Sequence, residues 1–167
     1  MIKKFYFLFF VVFLFNINNC FSAPSFEGAY YDWFVYTFEN TEGEKECYIA
    51  SFAKKTVGNY NEARRPYIMV TYFKDKAKEE VSVFGDFIYK KNSFIYVLMN
   101  DKQFKLLTKD KMAWAQTTRE DEELISHFIK SSKIKIKSET AGGKYTIDEY
   151  SGKGFLSAYN KMKMLCK

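Results

Sequence analysis

Histidine is almost absent from the sequence, with His127 as the single example among 167 residues. Triad hydrolases need a histidine base, and a closed zinc site needs four ligands that are mostly histidine or cysteine. The three cysteines cannot complete such a site, because Cys47 and Cys166 lie far apart in the chain and the third precedes both. His127 falls beside the apolar stripe of a predicted helix, so we expect it to face solvent. The sequence therefore predicts no catalytic histidine and no metal site.

Motifs for phosphate, calcium or covalent catalysis are missing as well. There is no D-x-D-x-D-G calcium loop, and the "AGGK" stretch lacks the spacing of a phosphate-binding loop. Two S-x-x-K matches, at residues 51–54 and 132–135, lack the companion motifs of serine–lysine hydrolases, so we interpret them as chance. The sequence thus predicts a protein that is not an enzyme and needs no cofactor. A hydrolase with paired carboxylates stays open, since 20 acidic residues are present and sequence alone cannot place two together.

A hydrophobic run long enough to span a membrane is also lacking near the N-terminus. The apolar run at residues 5–15 follows two lysines and precedes a polar stretch, whereas a spanning helix needs about 20 apolar residues. This order is typical of a secretory signal peptide. Small residues at Cys20 and Ser22 indicate cleavage after Ser22, because a proline would follow the bond after Ala23.

We therefore predict residues 1–22 as a signal peptide and residues 23–167 as a single domain without a transmembrane anchor. A lipidated Cys20 and a retained signal anchor are the alternatives. Two cysteines then remain, Cys47 and Cys166, and an even number in an exported chain indicates a disulfide. Cys166 ends a helical stripe that starts at Phe155, so the disulfide is predicted to hold the last helix to an early strand.

Most of the remaining chain has the pattern of short strands. Segments rich in β-branched and aromatic residues predict strands at residues 30–38, 47–52, 66–73, 93–99 and 133–137. Polar turns separate them without intervening helices, which is typical of an antiparallel sheet. The aromatic residues mostly alternate within these strands, so we assign them to the core.

Two segments have helical periodicity. The first has Thr118 as its predicted N-cap and an apolar stripe that includes Leu124, Ile125, Phe128 and Ile129. The second begins near Phe155, with Ser151 as the predicted cap and two glycines that allow close backbone approach. The predicted fold class is mainly β: an antiparallel β-sandwich or barrel-like sheet, with one internal helix and a C-terminal helix packed on it.

Basic residues supply the candidates for ligand binding. The chain carries a formal charge of +6, and Arg64 and Arg65 are adjacent, while Lys133, Lys135 and Lys137 share one face of a strand. Such residues can bind a polyanion, but alternating lysines are also how a surface strand avoids pairing with other chains. We retain Arg64 and Arg65 as weak candidates and expect no nucleic-acid partner.

An ordered series of short motifs suggests a family. The series is Trp33-x-Val35, "CYIAS" from Cys47, "RRPY" from Arg64, "EVSV" from Glu80, "MAWA" from Met112 and "IDEYSGKGFLSAY" from Ile147. It resembles the invasion-associated locus B family, which are exported proteins of Gram-negative bacteria. Unlike many relatives, the chain has no second cysteine pair in its middle, and Gly152 stands where leucine is frequent.

The resemblance implies a periplasmic or secreted, β-rich, non-enzymatic binding or envelope-associated protein with an unknown envelope or extracellular ligand. It transfers no catalytic residue, and it does not define an oligomeric state. Two other functions stay open, an envelope hydrolase that uses paired carboxylates and a binder of anionic envelope polymers.

Overall fold

The computed structural model describes residues 23–167, so the predicted signal peptide at residues 1–22 lies outside the described residues. Within this range the chain forms one antiparallel sheet of eleven strands and two helices. The strands are β1 (Ser25–Tyr30), β2 (Trp33–Glu39), β3 (Lys45–Phe52), β4 (Lys55–Gly58), β5 (Tyr67–Phe73), β6 (Lys78–Phe84), β7 (Phe94–Met99), β8 (Lys102–Lys109), β9 (Met112–Trp114), β10 (Lys133–Glu139) and β11 (Tyr145–Ser151). The helices are α1 (Thr118–Lys130) and α2 (Phe155–Cys166).

The sheet curls back on itself through the connection between β3 and β4. The strand order is β1-β2-β3-β5-β6-β9-β8-β7-β10-β11-β4, so β4 pairs with β11 at the far end of the order from β3. Only two residues separate β3 from β4, and the backbone N–H of the second, Lys54, donates to the Glu149 carbonyl (2.8 Å). The chain therefore passes directly from one part of the sheet to the other. The predicted barrel-like antiparallel sheet with one internal and one C-terminal helix is confirmed.

Both helices pack on the inner, concave face of the sheet. The Trp33 ring lies edge-on to Phe155 of α2, with ring centroids 4.8 Å apart, and Phe128 of α1 contacts both rings. All three side chains are buried. The predicted disulfide is present, because Cys47 on β3 is bonded to Cys166 at the end of α2.

Helix α1 forms where it was predicted, with two corrections. Its N-cap is Thr117, not Thr118: the Thr117 hydroxyl accepts from the Glu120 N–H, and the Glu120 carboxylate accepts from the Thr117 N–H (3.0 Å). This is a capping box, in which a Ser or Thr cap pairs with Glu or Gln three residues later. Ile129 is exposed rather than part of the buried stripe, which consists of Asp121, Leu124, Ile125 and Phe128. The Asp121 carboxylate accepts from the Val81 N–H (2.8 Å).

The start of α2 confirms one prediction and corrects another. A Cβ atom at Gly152 would lie 1.7 Å from the Ser131 carbonyl oxygen, and one at Gly154 would lie 1.8 Å from the Tyr30 carbonyl oxygen. The predicted close approach of backbones at these glycines is thus present. Ser151 does not cap the helix, however, since Gly154 is the N-cap with φ +95° and no side chain caps the first turn.

Several strands were missing from the sequence prediction. The stretch at residues 30–38 is not one strand, because the chain turns at Tyr31 and Asp32 between β1 and β2. Tyr31 has a φ of 54°, which fits this tight turn and is incompatible with a continuous strand. Strands β1, β4, β6, β8, β9 and β11 were also not predicted. Strands β6 and β8 each carry three charged residues, and β4 and β9 have only four and three residues.

Candidate functional site

The outer face of the sheet carries an unusual concentration of aromatic side chains. On β2, Trp33 and Val35 are buried on the inner face, so Phe34, Tyr36 and Phe38 point outward, and the strand register continues this arrangement across β3, β5, β6 and β9. We call this surface the outer aromatic face. Its members are Phe26, Phe34, Tyr36, Phe38, Tyr48, Phe52, Tyr67, Phe73, Phe84 and Trp114.

Ring contacts join these side chains across the strands. Tyr36 stacks on Tyr48 with centroids 5.0 Å apart, and Tyr67 stacks on Phe84 at 4.9 Å. Phe52 extends the second group, with its ring centroid 6.2 Å from that of Phe34 and 5.9 Å from that of Tyr67. Such contacts hold the rings in defined positions, so the outer aromatic face is a preformed surface.

A groove of about 350 Å³ opens in this face over five neighbouring strands. Its walls are mostly aromatic and thioether side chains: Phe38, Tyr48, Met69, Phe73, Met112 and Trp114. Its polar lining consists of Glu46, Thr71, Glu80 and Ser82. Binding sites for organic ligands commonly combine a largely apolar wall with a few polar groups in this way.

Glu46 is the most buried charged residue of the groove, with 7% of its surface exposed. One of its carboxylate oxygens accepts from the Asn40 side-chain amide (2.9 Å). Glu80 is more exposed and lies 3.7 Å from the ammonium group of Lys78. The groove lining therefore contains two acids and no basic residue.

Two tyrosines of the outer aromatic face, Tyr48 and Tyr67, keep their protons over the physiological pH range. Burial raises the pKa of Tyr48, and the neighbouring Tyr36 and Tyr67 hydroxyls add to the effect. Burial likewise raises the pKa of Tyr67. Both phenols therefore stay neutral and can donate a hydrogen bond to a ligand.

Basic side chains lie over rings at the margin of the same face. The Arg65 guanidinium is 5.0 Å from the Phe52 ring centroid, and the Lys78 ammonium is 5.7 Å from that of Phe73. These distances are within the range of a cation–π interaction. The outer aromatic face thus already binds cations that belong to its own chain.

The two arginines suggested by the sequence lie in different environments. Arg64 is buried and forms two hydrogen bonds with the Asp148 carboxylate, at 2.9 and 2.5 Å, plus one to the Gly85 carbonyl (3.1 Å). Arg65 is exposed and lies over Phe52. The guanidinium of Arg64 is therefore bonded inside the protein. Ligand binding by the pair stays a prediction, and of the two only Arg65 is accessible from the surface.

The three lysines of β10 and the single histidine do not line the groove either. Lys133, Lys135 and Lys137 face outward on β10, where Glu149 lies 3.5 Å from the first ammonium group and 3.8 Å from the second. His127 is only half-buried, with its ring 5.0 Å from that of Phe104 and its Nδ1 bonded to the Glu123 carbonyl oxygen (2.8 Å).

Sequence reasoning missed the outer aromatic face because it assigned the alternating aromatics to the core. A usable signal was present in the "WFVYTF" segment of β2, where both alternating sets of side chains are largely apolar. A strand with one solvated face alternates apolar and polar residues. A strand that is apolar on both faces therefore indicates that each face packs against another part of the protein or against a ligand.

The fold defines a mainly β protein with a curled antiparallel sheet and two helices on its inner face. The chain matches no family model and no curated protein sequence. It is similar in structure to invasion associated protein B from Bartonella henselae, with a TM-score of 0.59 and 11% sequence identity, over 86% of this chain and 98% of that chain. At this identity the similarity shows a shared fold, while family membership remains the expectation from the sequence motifs.

Two further observations concern the range from Ala23 to the C-terminus. No group of three or more His, Cys, Asp or Glu side chains in this range could hold a metal ion. Neither helix there is long and apolar enough to cross a bilayer.

Proposed function

We propose that the protein is an exported, non-enzymatic binding protein of the bacterial envelope, related to the invasion-associated locus B family, and that its ligand binds on the outer aromatic face. The groove of about 350 Å³ carries this proposal. Both helices pack on the inner face, so nothing among residues 23–167 packs as a second layer on the groove side. Exposed apolar patches of this kind mark interaction sites.

The buried disulfide and the predicted signal peptide support an extracytoplasmic location. Disulfides form and persist in oxidising compartments such as the periplasm. A shared fold with invasion associated protein B is consistent with this location, although it does not identify a ligand. Periplasmic and secreted locations both fit.

The test is binding of the oxidised protein to fractionated envelope material, measured together with any turnover of that material. Saturable binding to one fraction is expected, and Trp114→Ala should weaken it because the indole forms one wall of the groove. Leu156→Ala is the matched control, since it truncates an exposed apolar residue of α2, on the other side of the sheet from the groove. Equal binding by all three proteins, or no binding to any fraction, would contradict the proposal.

A hydrolase that uses paired carboxylates is the second candidate, because Glu46 and Glu80 line the same groove. Such enzymes need one acid that stays protonated and a second that stays ionised, on opposite sides of the bond that is cleaved. Release of soluble fragments from envelope polymers, abolished by Glu46→Gln and by Glu80→Gln, would establish this activity and displace the binding proposal.

A further inference from the structure

We propose that the groove binds an apolar polypeptide segment that carries a basic side chain, with Glu46 as the counter-charge. This inference rests on the proposed function and specifies the chemical class of its ligand. The burial of Glu46, the acidic lining of the groove and the length of the groove support it.

Glu46 is a buried carboxylate without a cation among the residues that the structure describes. It is 7% exposed, and its described partner is the neutral amide of Asn40. Burial of an ionised carboxylate costs free energy unless an opposite charge compensates it. A ligand that places a cation beside Glu46 would offset this cost and would therefore bind more tightly than a neutral ligand of the same shape.

The walls of the groove suit a basic side chain for a second reason. Four aromatic side chains line the groove, Phe38, Tyr48, Phe73 and Trp114, and the negative face of an aromatic ring attracts cations. Lys78 already lies over the Phe73 ring in this way. A lysine or arginine from a partner would therefore meet both a carboxylate and aromatic rings.

The dimensions of the groove favour a polypeptide over a compact cation. The groove spans β2, β3, β5, β6 and β9, and four strand spacings correspond to a length of about 19 Å. An extended peptide of about six residues has this length. Met69 and Met112 in the walls have flexible, polarizable side chains, which adapt to different apolar partners.

The first experiment uses a capped six-residue peptide of alternating leucine and lysine as the probe. A matched peptide has glutamine in place of lysine. Binding is followed by tryptophan fluorescence of the oxidised protein, because the chain has two tryptophans and only Trp114 lines the groove, whereas Trp33 is buried in the core. The Trp114→Phe variant should lose the fluorescence change.

Saturable binding of the lysine peptide is expected, with at least tenfold weaker binding of the glutamine peptide. Glu46→Gln should weaken binding of the lysine peptide about tenfold and leave the glutamine peptide within twofold. Glu149→Gln is the control variant, because Glu149 does not line the groove and lies on the outer face of β11 beside Lys133 and Lys135. Thermal unfolding of each variant checks that it is folded.

Three results would overturn the inference. The first is equal affinity for the two peptides, which would define an apolar site without charge selectivity. The second is tight binding of dodecyltrimethylammonium below its micelle concentration without binding of the peptide, which would indicate a lipid-like cation. The third is preference for dodecyl sulfate, which would indicate an anionic amphiphile. In all three cases envelope binding that depends on Trp114 could still occur, so failure of this inference is distinct from failure of the proposed function.

Discussion

The buried ion pair between Arg64 and Asp148 gives the sharpest prediction about stability. Both side chains are 3% exposed, and two hydrogen bonds join the guanidinium to the carboxylate. The Thr56 hydroxyl also donates to Asp148 (2.8 Å), so the pair connects β4, β11 and the loop before β5. Removal of one partner leaves an uncompensated charge in the interior, which typically costs about 3–5 kcal/mol.

We therefore expect Arg64→Met and Asp148→Leu each to lower the free energy of unfolding by about 3–5 kcal/mol. The double variant should lose much less than the sum, because it leaves no unpaired charge and replaces the pair with apolar side chains. The measurement is equilibrium unfolding in urea of the four oxidised proteins, analysed as a double-mutant cycle. A coupling free energy of about 3 kcal/mol or more is expected.

The matched control is the surface pair of Lys90 and Glu139, whose Nζ and Oε1 atoms are 3.0 Å apart. These side chains are 55% and 41% exposed, so the same cycle should give a coupling below about 1 kcal/mol. Additive losses at Arg64 and Asp148, or couplings of equal size in the two cycles, would refute the reasoning from burial.

Three further predictions concern the disulfide, a buried acid and a glycine. Replacement of both Cys47 and Cys166 by serine should lower the free energy of unfolding by up to about 5 kcal/mol, the chain-entropy value for a separation of 119 residues; a loss below about 1 kcal/mol in urea unfolding would contradict this. Burial raises the pKa of Asp121 to about 6, above its unfolded value, so its contribution to stability falls as pH rises from about 4 to about 6. The free energy of unfolding of Asp121→Asn, relative to that of the wild type, should therefore rise by about 2–3 kcal/mol between pH 4 and pH 7, as measured by urea unfolding. A difference that does not change with pH would disprove the raised pKa of Asp121. Gly152→Ala should cost about 3 kcal/mol or more in thermal unfolding, because the new methyl group meets a backbone carbonyl. Gly142→Ala should cost little, because its methyl group would meet only Thr140 Oγ1 at 3.8 Å, an ordinary contact distance; equal melting temperatures of the two variants would show that the backbone relaxes freely.

The sequence was sufficient for features that local patterns or simple counting determine. The alternation in "KIKIK" correctly predicted a strand with outward lysines, since Ile134 and Ile136 are buried. The pairing of Cys47 with Cys166 followed from an even number of cysteines in an exported chain, and the structure contains this bond. In each case the physical rule involves few residues and no knowledge of distant contacts.

The groove and the ion pair could not be predicted in the same way. On β2 and β5 both alternating sets of side chains are largely apolar, so periodicity cannot say which set faces the core. Arg64 and Asp148 are 84 positions apart, and they meet only because the chain passes from β3 to β4 and brings β11 alongside. The groove likewise combines side chains from five strands that are scattered along the chain, an arrangement that no single segment encodes.

The position of Cys47 has a mechanical consequence for the outer face. Its neighbours in the chain, Glu46 and Tyr48, line the groove, while Cys47 itself points to the inner face and is bonded to α2. The disulfide to α2 and the candidate ligand site therefore lie on opposite sides of the same strand, β3. The last helix is thus covalently anchored at the one β3 residue that lies between two groove side chains, and the bond that fixes α2 also fixes the backbone beneath the groove.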